Sequence, residues 1–286
     1  MPPHRRPGFR PQVTDAPRSG ARISGRWSTA PCDINILRFT SQVNPGKIAP
    51  SSNDPLEAKV TFCVQAVVSP VLANLYLHYA FDLWMGREFP NIPFERYADD
   101  VICHCGNEAQ AVRLKDSIER RFATCYLTLH PQKTKIAYCK DDRRRGTYTT
   151  VQFDFLGYSF QPRQAKRNGG RVFIGFNPGI SVKSAKSIRQ TIRSWRLHLR
   201  SDLSLDEIAK SVNPFFRGWI NYYGVYYRSV LSRVVGHFDS VLSRWAMRKY
   251  KHLKRRREKA KSWVYGVKRR QNDLFAHWGI FAKATG

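Results

Sequence analysis

Hydrophobic positions follow helical and strand periods through the middle of the chain. Residues 71–85 are apolar on nearly every side, which predicts a buried helix that ends at Gly86. Residues 107–126 carry apolar side chains at three- and four-residue spacing, which predicts an amphipathic helix. Between these two helices, short apolar runs rich in aromatic and β-branched residues predict strands.

The run from Phe94 to Cys103 places two adjacent aspartates between two such strands. Ala98, Asp99 and Asp100 have the composition of a tight turn, so the run predicts a β-hairpin with both carboxylates at its tip. Two anions beside apolar strands are costly unless a cation lies near them, and a divalent metal bound to phosphate would supply one. An Asp-Asp turn exposed to water is the alternative.

Downstream of the second helix, the pattern predicts further strands and then only helices. Residues 136–138, 151–160 and 171–176 read as strands, with Gly157 at a point of close backbone approach. Four helices are predicted after residue 180. Three cover residues 183–199, 204–212 and 231–250, and the fourth starts at Asn213-Pro214. The chain is therefore predicted to join an α+β part to an all-α part.

The charge of the chain is strongly positive and uneven. The 286 residues hold 49 Lys and Arg against 21 Asp and Glu, a net charge of +28. Residues 141–286 hold 31 of these cations and nine of the acids, together with five of the seven tryptophans. Basic residues interleaved with aromatic ones suit RNA, whose phosphates and unstacked bases they contact. No long apolar segment favours a membrane.

The N-terminal segment and the cysteines give little further information about function. Residues 1–60 are rich in Pro, Arg, Ser and Gly, which predicts disorder, and they carry no secretory signal. The six cysteines include no C-x-x-C pair, and Cys103, His104 and Cys105 would alternate faces on a strand. Reduced thiols and a cytoplasmic location are expected.

Several blocks resemble those of a known family. Tyr97-Ala98-Asp99-Asp100 resembles the metal-binding motif of reverse transcriptases. Residues 67–77 (VVSPVLANLYL), 129–135 (LHPQKTK) and 153–158 (FDFLGY) resemble the blocks around that motif in group II intron reverse transcriptases. Residues 215–223 (FFRGWINYY) and 274–278 (LFAHW) resemble the maturase domain of the same family. The resemblance covers about residues 62–280.

The resemblance implies a fold, a cofactor and two activities. Residues 61–180 would form a partial right-hand polymerase palm, an antiparallel sheet with helices, and residues 181–286 an all-α thumb or maturase domain with a basic tail. Asp99 and Asp100 would be the catalytic ligands of Mg²⁺. The activities would be copying RNA into DNA and helping intron RNA fold and splice, with intron RNA, a DNA primer and deoxynucleotides as partners.

The same resemblance suggests roles for other residues. Tyr97 and Ala98 would set the turn, Lys133 would face the incoming phosphates, and Gly157 would let the primer approach. A solvated turn lysine and an ordinary strand kink are the structural alternatives for the last two. The candidate RNA-binding residues are Arg217, Trp219, Tyr222, Tyr223, Lys254, Arg255, Arg256 and Arg257. Helix core is the alternative for Trp219 and Tyr222, and a solvated face is the alternative for the basic cluster.

The sequence departs from the family ahead of residue 62. Family members carry fingers and a palm strand there that supplies a third catalytic aspartate; Asp33 lies too close to the next block to fill that role. Gln65-Ala66-Val67 stands where the family has a Gln-Gly-Gly sequence. Residues 1–60 are accordingly expected to lie outside the family. Three hypotheses remain open: an active reverse transcriptase, an RNA-binding maturase without polymerase activity, and a truncated, inactive mobile-element remnant.

Overall fold

The computed structural model of the chain describes residues 35–43, 69–142, 144, 146–166, 170 and 172–282. The chain divides into two compact units, one formed by residues 32–179 and one that contains residues 180–286. This division falls where the pattern changes from α+β to helical.

An antiparallel sheet forms the centre of the first unit. Its strands are β1 (Asn35–Val43), β2 (Phe94–Tyr97), β3 (Asp100–Cys105), β4 (Leu127–Leu129) and β5 (Lys135–Tyr138). The strand order is β2-β3-β1-β4, and β5 also pairs with β1. One helical segment lies between β1 and β2 in the chain and another between β3 and β4. The α+β class is therefore confirmed, and the order of elements is βαββαββ.

Strand β1 corrects the expectation for residues 1–60. Residues 35–43 fall inside the segment that was expected to be disordered, yet they form the central strand of the sheet. The expectation that residues 1–60 lie outside the family stays a prediction. The antiparallel register with β3 sets Asn35 opposite Cys105 and Thr40 opposite Asp100. Local composition missed this strand because its hydrogen-bonding partners lie about 60 residues or more further along the chain. Asp33 lies outside the described residues.

The first helix, α1, is built from Ser69–Leu77, a π-helical turn at His78–Asp82, and Leu83–Glu88. The prediction that it is buried on all sides is wrong. Its buried face consists of Leu77, Ala80, Phe81 and Met85, whereas the exposed face carries Val71, Leu72, Leu75, Tyr76 and Tyr79. The apolar composition could not show which face packs, because the position of the sheet decides that.

The second helix, α2 (Glu108–Thr124), confirms its prediction. The side chain of Asn107 caps its start by accepting a hydrogen bond of 2.8 Å from the backbone N–H of Gln110. Its apolar residues at helical spacing are all fully buried against the sheet: Ala111, Leu114, Ile118 and Phe122. Fully burying a large apolar side chain stabilises the fold by roughly 1.5–3 kcal/mol. This helix therefore anchors the first unit.

A second sheet of three strands completes the first unit. Its order is β6 (Phe153–Phe155), β7 (Tyr158–Lys166) and β8 (Val172–Ile180). The single strand predicted over residues 151–160 is wrong, since Leu156 and Gly157 form a two-residue turn between β6 and β7. Their φ angles are +48° and +78°. A hairpin turn with two residues at positive φ reverses the chain where the apolar alternation alone predicted a continuous strand.

The second unit is helical, as predicted. Its helices are α3 (Val182–Ser194), α4 (Leu205–Tyr223), α5 (Arg228–Val235), α6 (His237–Lys249), α7 (Arg257–Arg270) and α8 (Ala276–Ala282). The capping box between Ser204 and Glu207 is confirmed at the start of α4. The core centres on large aromatic side chains with 3% exposure or less: Trp195, Phe216, Phe238, Trp245, Phe275 and Trp278.

Three helix boundaries differ from the prediction. Pro214 lies inside α4 rather than at the start of a new helix. The long helix predicted over 231–250 is divided at Gly236 into α5 and α6. The basic tail beyond residue 249 contains α7, which packs on α6 through buried Ala260, Val264 and Val267. Tertiary packing overrides these local signals, as it commonly does.

The last helix is held by a partly buried carboxylate. Asp239 on α6 accepts a 2.8 Å hydrogen bond from Nε1 of Trp278, and its Oδ1 lies 3.2 Å from Nε2 of His277. Asn213 on α4 donates to the carbonyl of Leu274 and accepts from the N–H of Ala276, both at 2.9 Å. These contacts explain the block 274–278 as a structural element of the fold. None of the described helices is long and apolar enough to cross a bilayer.

Candidate metal-binding hairpin and nucleic-acid interface

The hairpin of β2 and β3 carries the predicted aspartates at one end of the first sheet. Ala98 and Asp99 form its two-residue turn, and Asp100 is the first residue of β3, opposite Tyr97. Ala98 has a φ of +52°, in the left-handed region. The Asp99 side chain is exposed and Asp100 is partly buried. The predicted hairpin is therefore confirmed, and the two carboxylates lie at its tip.

An arginine that sequence reasoning missed holds this turn in place. The guanidinium of Arg96 donates two hydrogen bonds of 2.7 Å to the carboxylate of Asp82 on α1. Its Nη1 donates to Oδ1 of Asn74 at 2.9 Å and to the carbonyl of Ala98 at 3.0 Å. A bidentate ion pair of this kind is among the stronger polar contacts in proteins. Arg96 thus joins the turn directly to the neighbouring helix.

Asp82 lies in an irregular turn of helix α1. Asp82 ends the π-helical segment of α1, and its Oδ2 also lies 3.2 Å from Nδ1 of His78. π-Helical turns are frequent at functional sites because they change the direction of individual side chains. A sequence signal for the pairing of Asp82 and Arg96 was absent, since the two residues are 14 positions apart and belong to different elements.

Lys133 lies on the other side of β1 from the hairpin. The turn 130–134 joins β4 to β5, and these two strands pair with β1 on both sides of Thr40. Thr40 itself lies opposite Asp100. The Lys133 turn and Asp100 are therefore separated by strand β1. The Lys133 side chain is exposed. Gly157 lies apart from this sheet, in the turn between β6 and β7 of the second sheet.

The carboxylates at the hairpin tip fit part of a metal site. Mg²⁺ is bound in proteins by one or two carboxylates together with phosphate oxygens and water, and Asp99 and Asp100 are two such carboxylates. The neighbouring strand β1 contains no Asp or Glu. Among the described residues, no three metal-ligating side chains are arranged to hold an ion. The third carboxylate implied by the resemblance is not among the described residues, and Mg²⁺ binding at Asp99 and Asp100 stays a prediction.

The cysteines and histidine of β3 belong to the core rather than to this site. Cys103 and Cys105 are fully buried on one face of the strand, and burial raises the pKa of the Cys105 thiol to about 11. His104 points to the opposite face, and burial lowers its pKa to about 4. These side chains are held in their neutral forms at physiological pH.

The second unit exposes a large excess of cations. Residues 180–282 contain 23 Lys and Arg against six Asp and Glu, so most of the cations cannot be paired within the unit. None of the 23 side chains is buried. Four of these cations lie side by side at the start of α7 and are all exposed: Lys254, Arg255, Arg256 and Arg257, the last of which is the first residue of the helix. This unit therefore has a surface suited to a polyanion.

The aromatic candidates on α4 are only partly available to a ligand. Trp219 stacks on buried Trp195, with ring centroids 6.0 Å apart and an interplanar angle of 18°. Tyr222 and Tyr223 meet edge to face at 4.7 Å, and both are half-buried. Arg217, by contrast, is exposed. The structure thus packs Trp219 and Tyr223 against the core and leaves Arg217 exposed to solvent.

Comparison with known protein families agrees with this division into two units. A family model described as reverse transcriptase (RNA-dependent DNA polymerase) matches residues 65–160. A second, described as group II intron, maturase-specific domain, matches residues 185–263. No curated protein matches the chain.

The first match contains the hairpin, α2 and the Lys133 turn, so this unit is part of a reverse transcriptase palm. The helical unit that follows contains the maturase-specific domain. A polymerase palm followed by this domain defines the group II intron reverse transcriptases and maturases, and the chain belongs to that family.

Proposed function

We propose that the protein binds group II intron RNA through the cationic surface of its helical unit and helps that RNA to fold and splice. The observation that carries this proposal is the unpaired excess of exposed cations on residues 180–282, within which the maturase-specific domain is matched. Each phosphate neutralised by Lys or Arg releases counterions, which gives affinity without requiring a metal or a nucleotide. Such a role needs only a surface that holds structured RNA.

The test is a filter-binding titration of the full chain against structured group II intron RNA over a range of salt concentrations. One variant replaces Lys254, Arg255, Arg256 and Arg257 by Gln. Its matched control removes the same charge from exposed positions of the first unit: Arg87, Arg113, Arg120 and Lys135. The logarithm of the affinity is expected to fall steeply with the logarithm of salt concentration for the wild type, and less steeply for the first variant.

The titration shows whether RNA is bound by the helical unit in particular or by the net positive charge of the whole protein. If the two quadruple variants lose affinity equally, net charge rather than the helical unit attracts RNA. If the wild type binds weakly and without salt dependence, the proposal is wrong. A splicing assay with the same proteins then separates binding from assistance: the first variant is expected to slow splicing at protein concentrations where the control does not.

A second candidate function is copying RNA into DNA at the hairpin. The observation that favours it is the bracing of the Ala98–Asp99 turn by Arg96, which fixes two carboxylates at the end of the palm sheet. We propose that Asp99 and Asp100 hold Mg²⁺ together with the phosphates of an incoming deoxynucleotide, and that Lys133 contacts those phosphates. When bound, the cation would stabilise the charge on the attacking and leaving oxygens of the phosphoryl transfer.

Primer extension on an RNA template tests this second candidate. Wild type is compared with Asp99→Ala and with Glu108→Ala, an exposed carboxylate on α2 that serves as control. Extension by the wild type and the control, with loss in Asp99→Ala, would support polymerisation. An absence of extension in all three proteins would leave RNA binding as the sole proposed activity.

A further inference from the structure

The helical unit contains an open cavity of about 760 Å³ that neither proposed activity has used. It lies between the second half of α4, the connection from α4 to α5, and the segment that leads into α8. A volume of this size is within the range of pockets that bind small molecules or single nucleotides. Residues from three separate parts of the unit line it, so the cavity is a product of the folded structure.

Two arginines line this cavity. Arg217 is exposed on α4. Arg228 begins α5, and its Nε donates a 2.9 Å hydrogen bond to the carbonyl of Gly224, which fixes the direction of the side chain. Guanidinium groups bind phosphate through paired, charge-assisted hydrogen bonds. One side of the cavity is therefore suited to an anion.

A carboxylate and an amide also line the cavity. Asp273 is exposed, and its Oδ1 lies 3.5 Å from the position that a Cβ on Gly279 would occupy. Asn221 lies one helical turn beyond Arg217 on α4. An ionised carboxylate only accepts hydrogen bonds and repels phosphate. A bare phosphate would therefore leave Asp273 without a favourable partner, whereas a ligand with both an anionic end and hydrogen-bond donors matches the whole set.

The remaining wall of the cavity is apolar. Val225, at 63% exposure, and Ile220, at 8%, form this wall together with Ala276. A flat, weakly polar ring packs well against such a wall. An unstacked RNA base offers such a ring, and single-stranded RNA is commonly recognised through unstacked bases and their hydrogen-bonding edges.

We propose that this cavity binds one unpaired guanosine nucleotide of RNA. The inference rests on the proposed binding of RNA and adds a base preference to it. The N1–H and N2–H groups of guanine are adjacent donors on one edge, and a carboxylate can accept both. The other three RNA bases lack two such neighbouring donors. Asp273 receives the guanine edge, Ile220 and Val225 contact the ring, and Arg217 and Arg228 bind the phosphates.

The experiment uses the full chain and four fluorescent 12-residue oligouridines that carry G, A, C or U at one central position. Affinity is measured by fluorescence anisotropy, and guanosine monophosphate is titrated in parallel by calorimetry. The wild type is expected to bind the G-containing RNA about tenfold more tightly than the others, as for a good paired contact to a base edge. Asp273→Asn is expected to remove this preference and to retain general affinity for RNA.

Arg217→Gln supplies the second variant, and Arg244→Gln on α6, exposed and outside the cavity, supplies its control. Arg217→Gln is expected to weaken binding of guanosine monophosphate about tenfold, whereas Arg244→Gln leaves it unchanged. Equal binding of the four RNAs by the wild type, or a preference for G that survives in Asp273→Asn, would overturn the assignment. If no RNA binds in a salt-dependent way, the proposed function itself fails, while the titration with guanosine monophosphate still tests the pocket.

Discussion

The carboxylate of Asp82 and the guanidinium of Arg96 form a two-point ion pair, with both N–O distances at 2.7 Å. The pair joins α1 to the strand that leads into the Ala98–Asp99 turn, and the same guanidinium donates to the carbonyl of Ala98. Both side chains are largely shielded from water, with 13% of Arg96 and 20% of Asp82 exposed. The position of the hairpin tip therefore depends on a contact between two elements that are separate in sequence.

Asp82→Asn tests the strength of that contact. The substitution removes the charge that faces a shielded guanidinium, so we expect the free energy of unfolding to fall by about 1–3 kcal/mol in a urea titration. The control is Asp202→Asn, which breaks the pair between Asp202 and Arg200 at a carboxylate with 63% exposure. Exposed pairs contribute less than about 1 kcal/mol. Equal losses for both variants would show that the pair with Arg96 is not a strong contact.

Asp239→Ala tests how α8 is held to the rest of the helical unit. The change leaves Nε1 of buried Trp278 without its acceptor, and an unsatisfied buried donor costs about 1–3 kcal/mol. We expect a lower midpoint of unfolding by circular dichroism. Glu258→Ala is the control, because that carboxylate is 80% exposed and pairs only with Lys261 among the contacts described. A midpoint for Asp239→Ala that matches the control would contradict the role given to this carboxylate.

The stability of the first unit should depend on pH through His104. Burial lowers its pKa from 6.5 to about 4, so between these values the unfolded chain binds more protons than the folded one. The free energy of unfolding is therefore highest above about pH 6.5, as far as His104 determines it, and it falls as the pH drops toward 4. Burial also lowers the pKa of His277 and of His237, so the helical unit is expected to lose stability as well when the pH falls.

His104→Gln is expected to flatten this dependence. The contribution of His104 between pH 7.5 and pH 5 is about 2 kcal/mol, measured as the difference in free energy of unfolding between the two pH values. His252→Gln, at an exposed position, should leave the dependence as it is in the wild type. A pH profile that is the same in all three proteins would show that His104 titrates normally in the folded state.

Two glycines should respond to alanine with opposite signs. Gly157 has a φ of +78°, so Gly157→Ala places a side chain in the left-handed region and is expected to cost about 1 kcal/mol. Gly86 lies within α1, and a Cβ added there meets nothing within 4 Å. Gly86→Ala is therefore expected to stabilise by about 0.5–1 kcal/mol. Urea titration measures both changes, and a loss at Gly86 or a gain at Gly157 would contradict the backbone geometry.

The sequence alone was sufficient where structure depends on residues close together in the chain. The buried face of α2, the cap of α4 by Ser204 and Glu207, and the hairpin at Asp99 and Asp100 all follow from spacing over a few positions. The motif blocks in order were enough to indicate the family, which the two family models support. The roles of individual residues in binding RNA, metal or primer stay predictions.

Other features were decided only when distant segments met. Strand β1 depends on backbone hydrogen bonds to β3, β4 and β5, and the exposed face of α1 depends on where the sheet lies. The ion pair of Asp82 with Arg96 and the cavity that joins Arg217 to Asp273 likewise combine residues from separate elements. Local periodicity carries no information about such pairings, because a side chain has the same sequence neighbours whichever distant partner it finds. The sequence therefore determined the elements and the family, and the tertiary structure determined which side chains share a site.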